Sequence, residues 1–221
     1  MQKLLFIANW KSNKRYEEAV DWLQTFKKNL SKINLENKII VVCPSFTYIP
    51  AVSLYVKANN LPIAVGAQNI SGFESGAYTG EVSAQQLKEF CEYVIIGHSE
   101  RRKYNHENDQ DVHNKVEMAK TRKLKTIVCV QNEYTLIPKE SDFVAYEPVF
   151  AIGTGNPDTP DRIADVFSSI NNITGKSGLL YGGSVDAKNI AGFLQIPYLS
   201  GFLIGTASLD LDAFINLLSK C

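Results

Sequence analysis

The sequence predicts an α/β fold, a single-domain (β/α)8 barrel in which eight parallel strands are ringed by outer helices and one domain spans residues 1–221. Three observations predict it. Short runs rich in Val, Ile, Leu and Phe recur eight times, and they are near-continuous instead of alternating, the pattern of parallel strands covered on both faces. Between them, apolar residues recur at spacings of three and four, each set making one helical stripe. The repeat averages about 28 residues, tight for a barrel that usually takes about 250 but above its lower bound near 200. A doubly wound open sheet is the alternative, disfavoured by the eight regular units and the lack of a glycine-rich first turn.

The first run is Leu4–Ala8, followed by a helical stripe of Val20, Leu23, Phe26 and Leu30. Strands two to five are Ile39–Cys43, Pro62–Val65, Tyr93–Ile96 and Thr126–Val130. Only 11 residues separate Val130 from Asp142, with Pro138 among them, so a turn or stub is expected in place of a fifth helix. The sixth strand, Phe143–Tyr146, leads to Thr159-Pro160-Asp161, which supplies an N-cap, a first-turn proline and an acidic first turn. Ile163, Val166, Phe167 and Ile170 carry that helix inward. Gly178–Tyr181 and Gly201–Ile204 complete the strands, and Leu211, Phe214, Ile215 and Leu218 mark a last helix.

Apolar residues make up 45% of the 221 and charged residues 21%, which excludes disordered, collagenous and coiled-coil classes. With 23 basic and 23 acidic side chains the net charge is zero, which argues against a dedicated partner in nucleic acid or an anionic membrane. Cys43, Cys91, Cys129 and Cys221 lie far apart without metal-site spacing, so reduced thiols and a cytoplasmic location are expected. No leader pattern opens the chain, and no apolar run approaches the roughly 20 residues of a spanning helix.

Chemistry in such a barrel gathers at the carboxyl ends of the strands. Strand one ends Asn9-Trp10-Lys11, strand four Gly97-His98-Ser99-Glu100, and strand six Glu147-Pro148. Strand seven ends Gly182-Gly183-Ser184 and strand eight Gly205-Thr206. A lysine, a histidine and a carboxylate would therefore converge beside two glycine-bearing turns. That set suits proton transfer next to a carbonyl on a phosphorylated substrate. Glu147 would be the base, His98 would polarise the carbonyl oxygen, and Lys11 would oppose the charge of an enediolate. Ser184 and the amides of Gly183 and Gly205, at the starts of helices seven and eight, would offer donors to phosphate. Singly, each residue reads more simply as a cap, a turn glycine or a surface charge; the conjunction at one end of the strands carries the argument. His106 lies in an acidic stretch at 105–112 and His113 directly follows it; the stretch reads as a solvated helix face, and their spacing of seven matches no compact metal motif.

Several motifs together resemble triosephosphate isomerase. They are Asn9-Trp10-Lys11, Gly66-Ala67-Gln68-Asn69, Gly76-Ala77-Tyr78-Thr79-Gly80-Glu81, Gly97-His98-Ser99-Glu100-Arg101-Arg102, Ala145-Tyr146-Glu147-Pro148, Ala151-Ile152-Gly153-Thr154-Gly155 and Tyr181-Gly182-Gly183-Ser184-Val185. They come in the family's order over nearly the whole chain. The resemblance implies a TIM barrel that interconverts dihydroxyacetone phosphate and glyceraldehyde 3-phosphate in glycolysis and gluconeogenesis, with no metal and no organic cofactor. It implies Glu147 as base, His98 as a neutral electrophile whose pKa a helix N-terminus lowers, Lys11 and Asn9 as electrostatic contacts, and Glu100 as the partner of Lys11. Gly153, Gly183, Ser184, Gly205 and Thr206 would hold phosphate. Tyr181 and a mobile lid of Pro148, Val149, Phe150, Ala151, Ile152, Gly153, Thr154, Gly155 and Asn156 would exclude water. Thr79 would reach a neighbouring subunit, implying a homodimer.

The chain departs from the family's pattern in four places. Cys129-Val130-Gln131-Asn132 replaces the usual Cys-Ile-Gly-Glu and precedes the missing helix, a trimming similar to the family's compact archaeal form, in which tetramers also occur. Phe150 stands where tryptophan is common, the second hinge reads Asn156-Pro157-Asp158, and Thr206 replaces a second glycine. The competing expectations are another phosphosugar enzyme on the same barrel and a catalytically silent homologue kept for binding.

Overall fold

A computed structural model describes residues 3–176 and 178–221. All eight strands form where the apolar runs place them: β1 Leu4–Asn9, β2 Lys38–Cys43, β3 Ile63–Ala67, β4 Tyr93–Ile96, β5 Lys125–Val130, β6 Phe143–Tyr146, β7 Leu179–Tyr181 and β8 Leu199–Ile204. Each pairs in parallel with the next, and β8 closes on β1, so the sheet is a barrel and not an open doubly wound sheet. The helices are α1 Tyr16–Asn29, α2 Ile49–Ala58, α3 Ala84–Lys88, α4 Ser99–Tyr104, α5 Asp109–Thr121, α6 Pro160–Thr174, α7 Ile190–Phe193 and α8 Leu211–Leu218.

Two buried layers follow from strand alternation. Leu5, Ile7, Val41, Tyr93, Ile95, Ile127, Cys129, Ala145, Leu180 and Leu203 fill the barrel. The intervening strand residues, such as Phe6, Val42, Val128 and Phe202, face the inner sides of the helices. Trp22 and Phe26 on α1 stack at 5.6 Å, and Trp22 meets Trp10 edge-on at 5.3 Å, which anchors α1 beneath the end of β1. The predicted cap of α6 is present, with Thr159 Oγ1 accepting from the Arg162 amide at 3.3 Å. Ile163, Val166, Phe167 and Ile170 are all buried.

No helix stands between β5 and β6. In its place Asp142 Oδ2 accepts from the Thr126 amide at 2.8 Å, while the Asp142 amide donates back to Thr126 Oγ1 at 2.9 Å. This two-way clamp joins the neighbouring strands without a crossover helix.

β8 begins two residues before the expected Gly201, which lies inside the strand. A Cβ at Gly201 would fall 2.1 Å from the Leu5 carbonyl oxygen, so the seam between β8 and β1 tolerates only glycine. Helix seven also begins later than expected. Ser184 has φ of 55°, which a helix cannot accommodate, and α7 starts six residues on at Ile190. Gly205 precedes a short 3-10 turn at Thr206–Ser208, and α8 starts at Leu211. The amides near the expected phosphate site therefore belong to turns and not to long helices.

The stretch at 105–112 is not simply a solvated face. Glu107 is buried, with Arg101 Nε at 2.6 Å and Lys115 Nζ in direct contact with the same oxygen. Lys115 also donates to Asn69 Oδ1 at 2.9 Å, so the acidic residue ties the turn before α5 to the end of β3. His106 is exposed, and His113 approaches Glu117 on its own helix at 3.3 Å. No helix among the described residues is long and apolar enough to cross a membrane.

Candidate active site

A cavity of about 300 Å³ opens at the carboxyl end of the barrel. Ten of the residues singled out from sequence line it: Asn9, Lys11, His98, Glu147, Ile152, Gly153, Gly155, Ser184, Gly205 and Thr206.

Lys11 follows β1 in the left-handed region at φ 52°, a conformation uncommon for a residue with a side chain. Its surroundings hold it there. Asn9 Oδ1 accepts from its amide at 3.1 Å, and its carbonyl accepts from Gln68 Nε2 at 2.8 Å and Ser45 Oγ at 3.2 Å. Lys11 Nζ reaches Glu100 Oε1 at 2.5 Å, a contact between β1 and the first turn of α4. Glu100 thus touches the lysine and not the cavity itself.

His98 caps α4, and the Glu100 amide donates to its Nδ1 at 3.2 Å. An N–H aimed at Nδ1 makes that nitrogen the acceptor and leaves the ring proton on Nε2. Nε2 lies 3.1 Å from Glu147 Oε1. Burial pulls the His98 pKa down, but the Glu147 carboxylate and its hydrogen bond outweigh it, and the net direction is up. The helix terminus therefore fixes the tautomer here, whereas the pKa expected to fall is raised by the carboxylate.

Glu147 is 3% exposed, and its Oε2 has no hydrogen-bond partner among the described residues. Burial pushes its pKa up, and His98, the Cys129 thiol and Lys11 together bring it below the ordinary carboxylate value. A buried, ionised carboxylate with an oxygen to spare is an acceptor held ready for a proton.

On the far side of the cavity, Ser184 Oγ donates to the Ala151 carbonyl and accepts from the Gly155 amide at 3.1 Å. Its hydroxyl proton is thereby committed to segment 148–156, so any phosphate contact from this residue falls to its amide. Val149 and Phe150 of that segment are 57% and 63% exposed, whereas Ala151 is fully buried. Pro148, Thr154, Asn156 and Tyr181 do not line the cavity; the Tyr181 hydroxyl accepts from the Asp158 amide at 2.8 Å. Gly183 does not line it either, and a Cβ there would lie 2.3 Å from the Tyr181 hydroxyl. Thr79 is exposed in a loop well along the chain from these residues, beside Phe73 and Tyr78, whose rings stack at 4.5 Å.

Sequence reasoning gave no site role to five wall residues, Gly182, Val185, Asp186, Leu203 and Ala207. Leu203 was findable, since inward positions alternate along β8 and the last one must face the mouth. Gly182 has a sharper reason to be glycine, because a Cβ there would sit 2.9 Å from Glu147 Cγ.

A sequence model of the family described as triosephosphate isomerase matches residues 4–136 and 134–221. The chain belongs to the triosephosphate isomerase family. Proteins named triosephosphate isomerase from Wolbachia pipientis wMel (39% identical, 98% of this chain, 93% of the relative) and Mesomycoplasma hyorhinis (38%, 99% of both chains) are similar to it end to end. So is one from Aquifex aeolicus strain VF5 at 36% identity, covering 96% of this chain and 97% of the relative. The two stretches of the family match meet at 134–136, inside the connection from β5 to β6 that lacks its helix.

Proposed function

We propose that this family member interconverts dihydroxyacetone phosphate and glyceraldehyde 3-phosphate through an enediolate, with Glu147 moving the proton between the two carbons. The observation that carries the reading is the buried Glu147 carboxylate, one oxygen unpartnered and the other 3.1 Å from His98 Nε2 in a cavity that also holds Lys11. A substrate carbonyl entering between them takes over the Nε2 proton as a hydrogen-bond donor. Glu147 then loses its hydrogen bond to His98, one of the contacts that lower its pKa, while keeping the burial that raises it, so its basicity rises as the proton is taken. Lys11, oriented by Asn9 and Glu100, opposes the negative charge that develops on the two oxygens. No step calls for a metal or an organic cofactor.

The phosphate is assigned to the turns around Gly153, Gly183, Ser184, Gly205 and Thr206, with donors supplied mainly by the backbone. The segment from Pro148 to Asn156, fastened by Ser184 at Gly155 and followed by Asp158, whose amide Tyr181 holds, acts as a lid that keeps water from the enediolate. The whole of 1–221 is read as one barrel domain working in the cytoplasm, in glycolysis and gluconeogenesis. A homodimer is assigned as the active unit, with tetramers as the other assembly open to a trimmed barrel. What supports it is the exposed loop bearing Thr79 and the stacked Phe73 and Tyr78, together with an open recess of about 230 Å³ beside Asn9 and His98 that such a loop could enter.

The test is turnover of glyceraldehyde 3-phosphate in a coupled NADH assay beside Glu147→Gln. Turnover that falls by roughly 10²–10⁴ in the variant is expected when a positioned base is removed. No turnover in the parent protein, with no stabilisation by phosphoglycolate, moves the assignment to a silent homologue; stabilisation without turnover moves it to another phosphosugar.

A further inference from the structure

The carboxyl-terminal hinge of the proposed lid has a fastening of its own. Asp158 lies two residues past Asn156, and every polar group it carries apart from its carbonyl is engaged. Its Oδ2 accepts from the Tyr146 hydroxyl at 2.9 Å, its Oδ1 from the Thr159 amide at 2.9 Å, and its own amide donates to the Tyr181 hydroxyl at 2.8 Å. Tyr146 is the last residue of β6 and the immediate neighbour of Glu147. Its ring packs at 6.1 Å from that of Tyr181, which in turn meets Phe193 edge-on at 5.0 Å. Two phenols braced in the wall of the barrel thus converge on one hinge residue.

The local sequence narrows what that hinge can do. Pro157 fixes its own φ, restricts Asn156 before it and contributes no N–H. Asp158 is held on three atoms, and Thr159 is already the cap of α6. Bending is therefore displaced to Gly155, at φ 79°, where a Cβ would find no atom within 4 Å. Tyr146 is suited to be a donor here: burial and the adjacent carboxylate both push its pKa above the ordinary phenol value, so the hydroxyl keeps its proton.

We propose that Asp158 and Tyr146 form a latch that pins the carboxyl-terminal hinge of segment 148–156 to β6, and that both are positioning residues for proton transfer at Glu147. The latch rests on the isomerase reading for its effect on turnover, but its mechanical part does not. Opening the latch frees the hinge to swing from Pro157 onward, and the segment spends less time shut over the cavity. An enediolate left uncovered breaks its C–O bond to phosphate, releasing inorganic phosphate and an enol that tautomerises to methylglyoxal. The latch therefore governs how substrate partitions between isomerised product and elimination, more than how tightly it binds.

The experiment compares Tyr146→Phe, Asp158→Ala and the double variant with the parent protein by two readouts. Backbone hydrogen exchange across 153–158, measured without ligand, is expected to accelerate about threefold or more in each single variant, and no further in the double. Under turnover, kcat is expected to fall about three- to tenfold with KM changed less than twofold, and the ratio of methylglyoxal to isomerised product to rise by a similar factor. Asp158→Asn, which keeps an acceptor for the phenol, is expected to recover part of both effects. Unchanged exchange in the single variants, or effects that multiply in the double, would overturn the latch. If the parent protein has no isomerase activity, the function assignment falls while the exchange measurement still decides the latch.

Discussion

Gly182→Ala is the substitution whose outcome the geometry determines most narrowly. The backbone at this position lies outside the left-handed region, so alanine meets no torsional objection. What it meets is Glu147: the new Cβ would stand 2.9 Å from Cγ and 3.4 Å from Oε1, with Leu203 Cβ also at 3.4 Å. Carbon atoms prefer separations of about 3.5–4.0 Å, so Glu147 has to yield by about 0.6–1 Å. A reacting group misplaced by about 1 Å costs on the order of 10² in rate, or about 2.7 kcal/mol. We expect kcat to fall roughly 30- to 100-fold in the coupled isomerase assay. KM should change little, because Lys11 and the turn at Gly205 are not displaced. Overpacking itself costs about 1–3 kcal/mol. At about 2.1 cal/mol/K per residue, that lowers Tm by about 2–6 °C, so the variant remains folded and measurable. A folded Gly182→Ala protein with kcat within twofold of the parent would refute the reasoning, since a base displaced by that distance cannot keep its rate.

Gly192→Ala supplies the control: Gly192 sits in α7 with nothing within 4 Å of a new Cβ, so Tm should rise by about 1–2 °C from a gain of about 0.4–1 kcal/mol, with kcat unchanged. Glu107→Gln leaves Arg101 and Lys115 facing each other without their shared anion, and a loss of about 3–5 kcal/mol should appear as a Tm lowered by about 6–11 °C in thermal melts. Burial raises the pKa of Asp142, but Lys120 and the Thr126 amide outweigh it and hold the carboxyl below its ordinary value. Its stabilisation is thus fully present above the unfolded value near 4 and lost as pH falls through the lower folded one; Asp142→Asn should flatten the acid side of a Tm-against-pH curve, and an unaltered slope would count against the clamp. Pro157→Ala should speed hydrogen exchange in the neighbouring hinge without abolishing turnover, because it loosens φ but removes none of the contacts around Glu147.

The parts of the molecule that sequence could reveal are those in which each residue acts through its own local period. Eight strands were legible because a parallel strand buried on both faces must be apolar throughout, and α6 because its cap, proline and stripe agree. Glu147, His98 and Lys11 were legible because each lies within two residues of a strand end, and strand ends in a closed barrel share one rim. Glu107 was not, since a glutamate in an acidic turn looks solvated until Arg101 and Lys115, from two helices, are placed around it. The late start of α7 escaped because Ser184 adopts a left-handed backbone that serine seldom takes. Gly182 looked like one more turn glycine; only the position of the Glu147 side chain shows that it is a space left empty for a neighbour.

The seam at Gly201 bears on how the protein comes into being. β8 lies against β1 so closely that a Cβ would strike the Leu5 backbone, and directly above that seam Lys11 and Gly205 share the cavity wall. The two strands are separated by most of the chain, so their pairing closes a loop of high entropic cost and belongs to the late stages of assembly. Without β8 the sheet would have two unpaired edges, β1 and β7, which β8 joins. The cavity does not exist in a half-made chain. Competence for the reaction therefore rests on barrel closure, because Lys11 after β1 and Gly205 after β8 meet in one cavity wall only when the two strands pair.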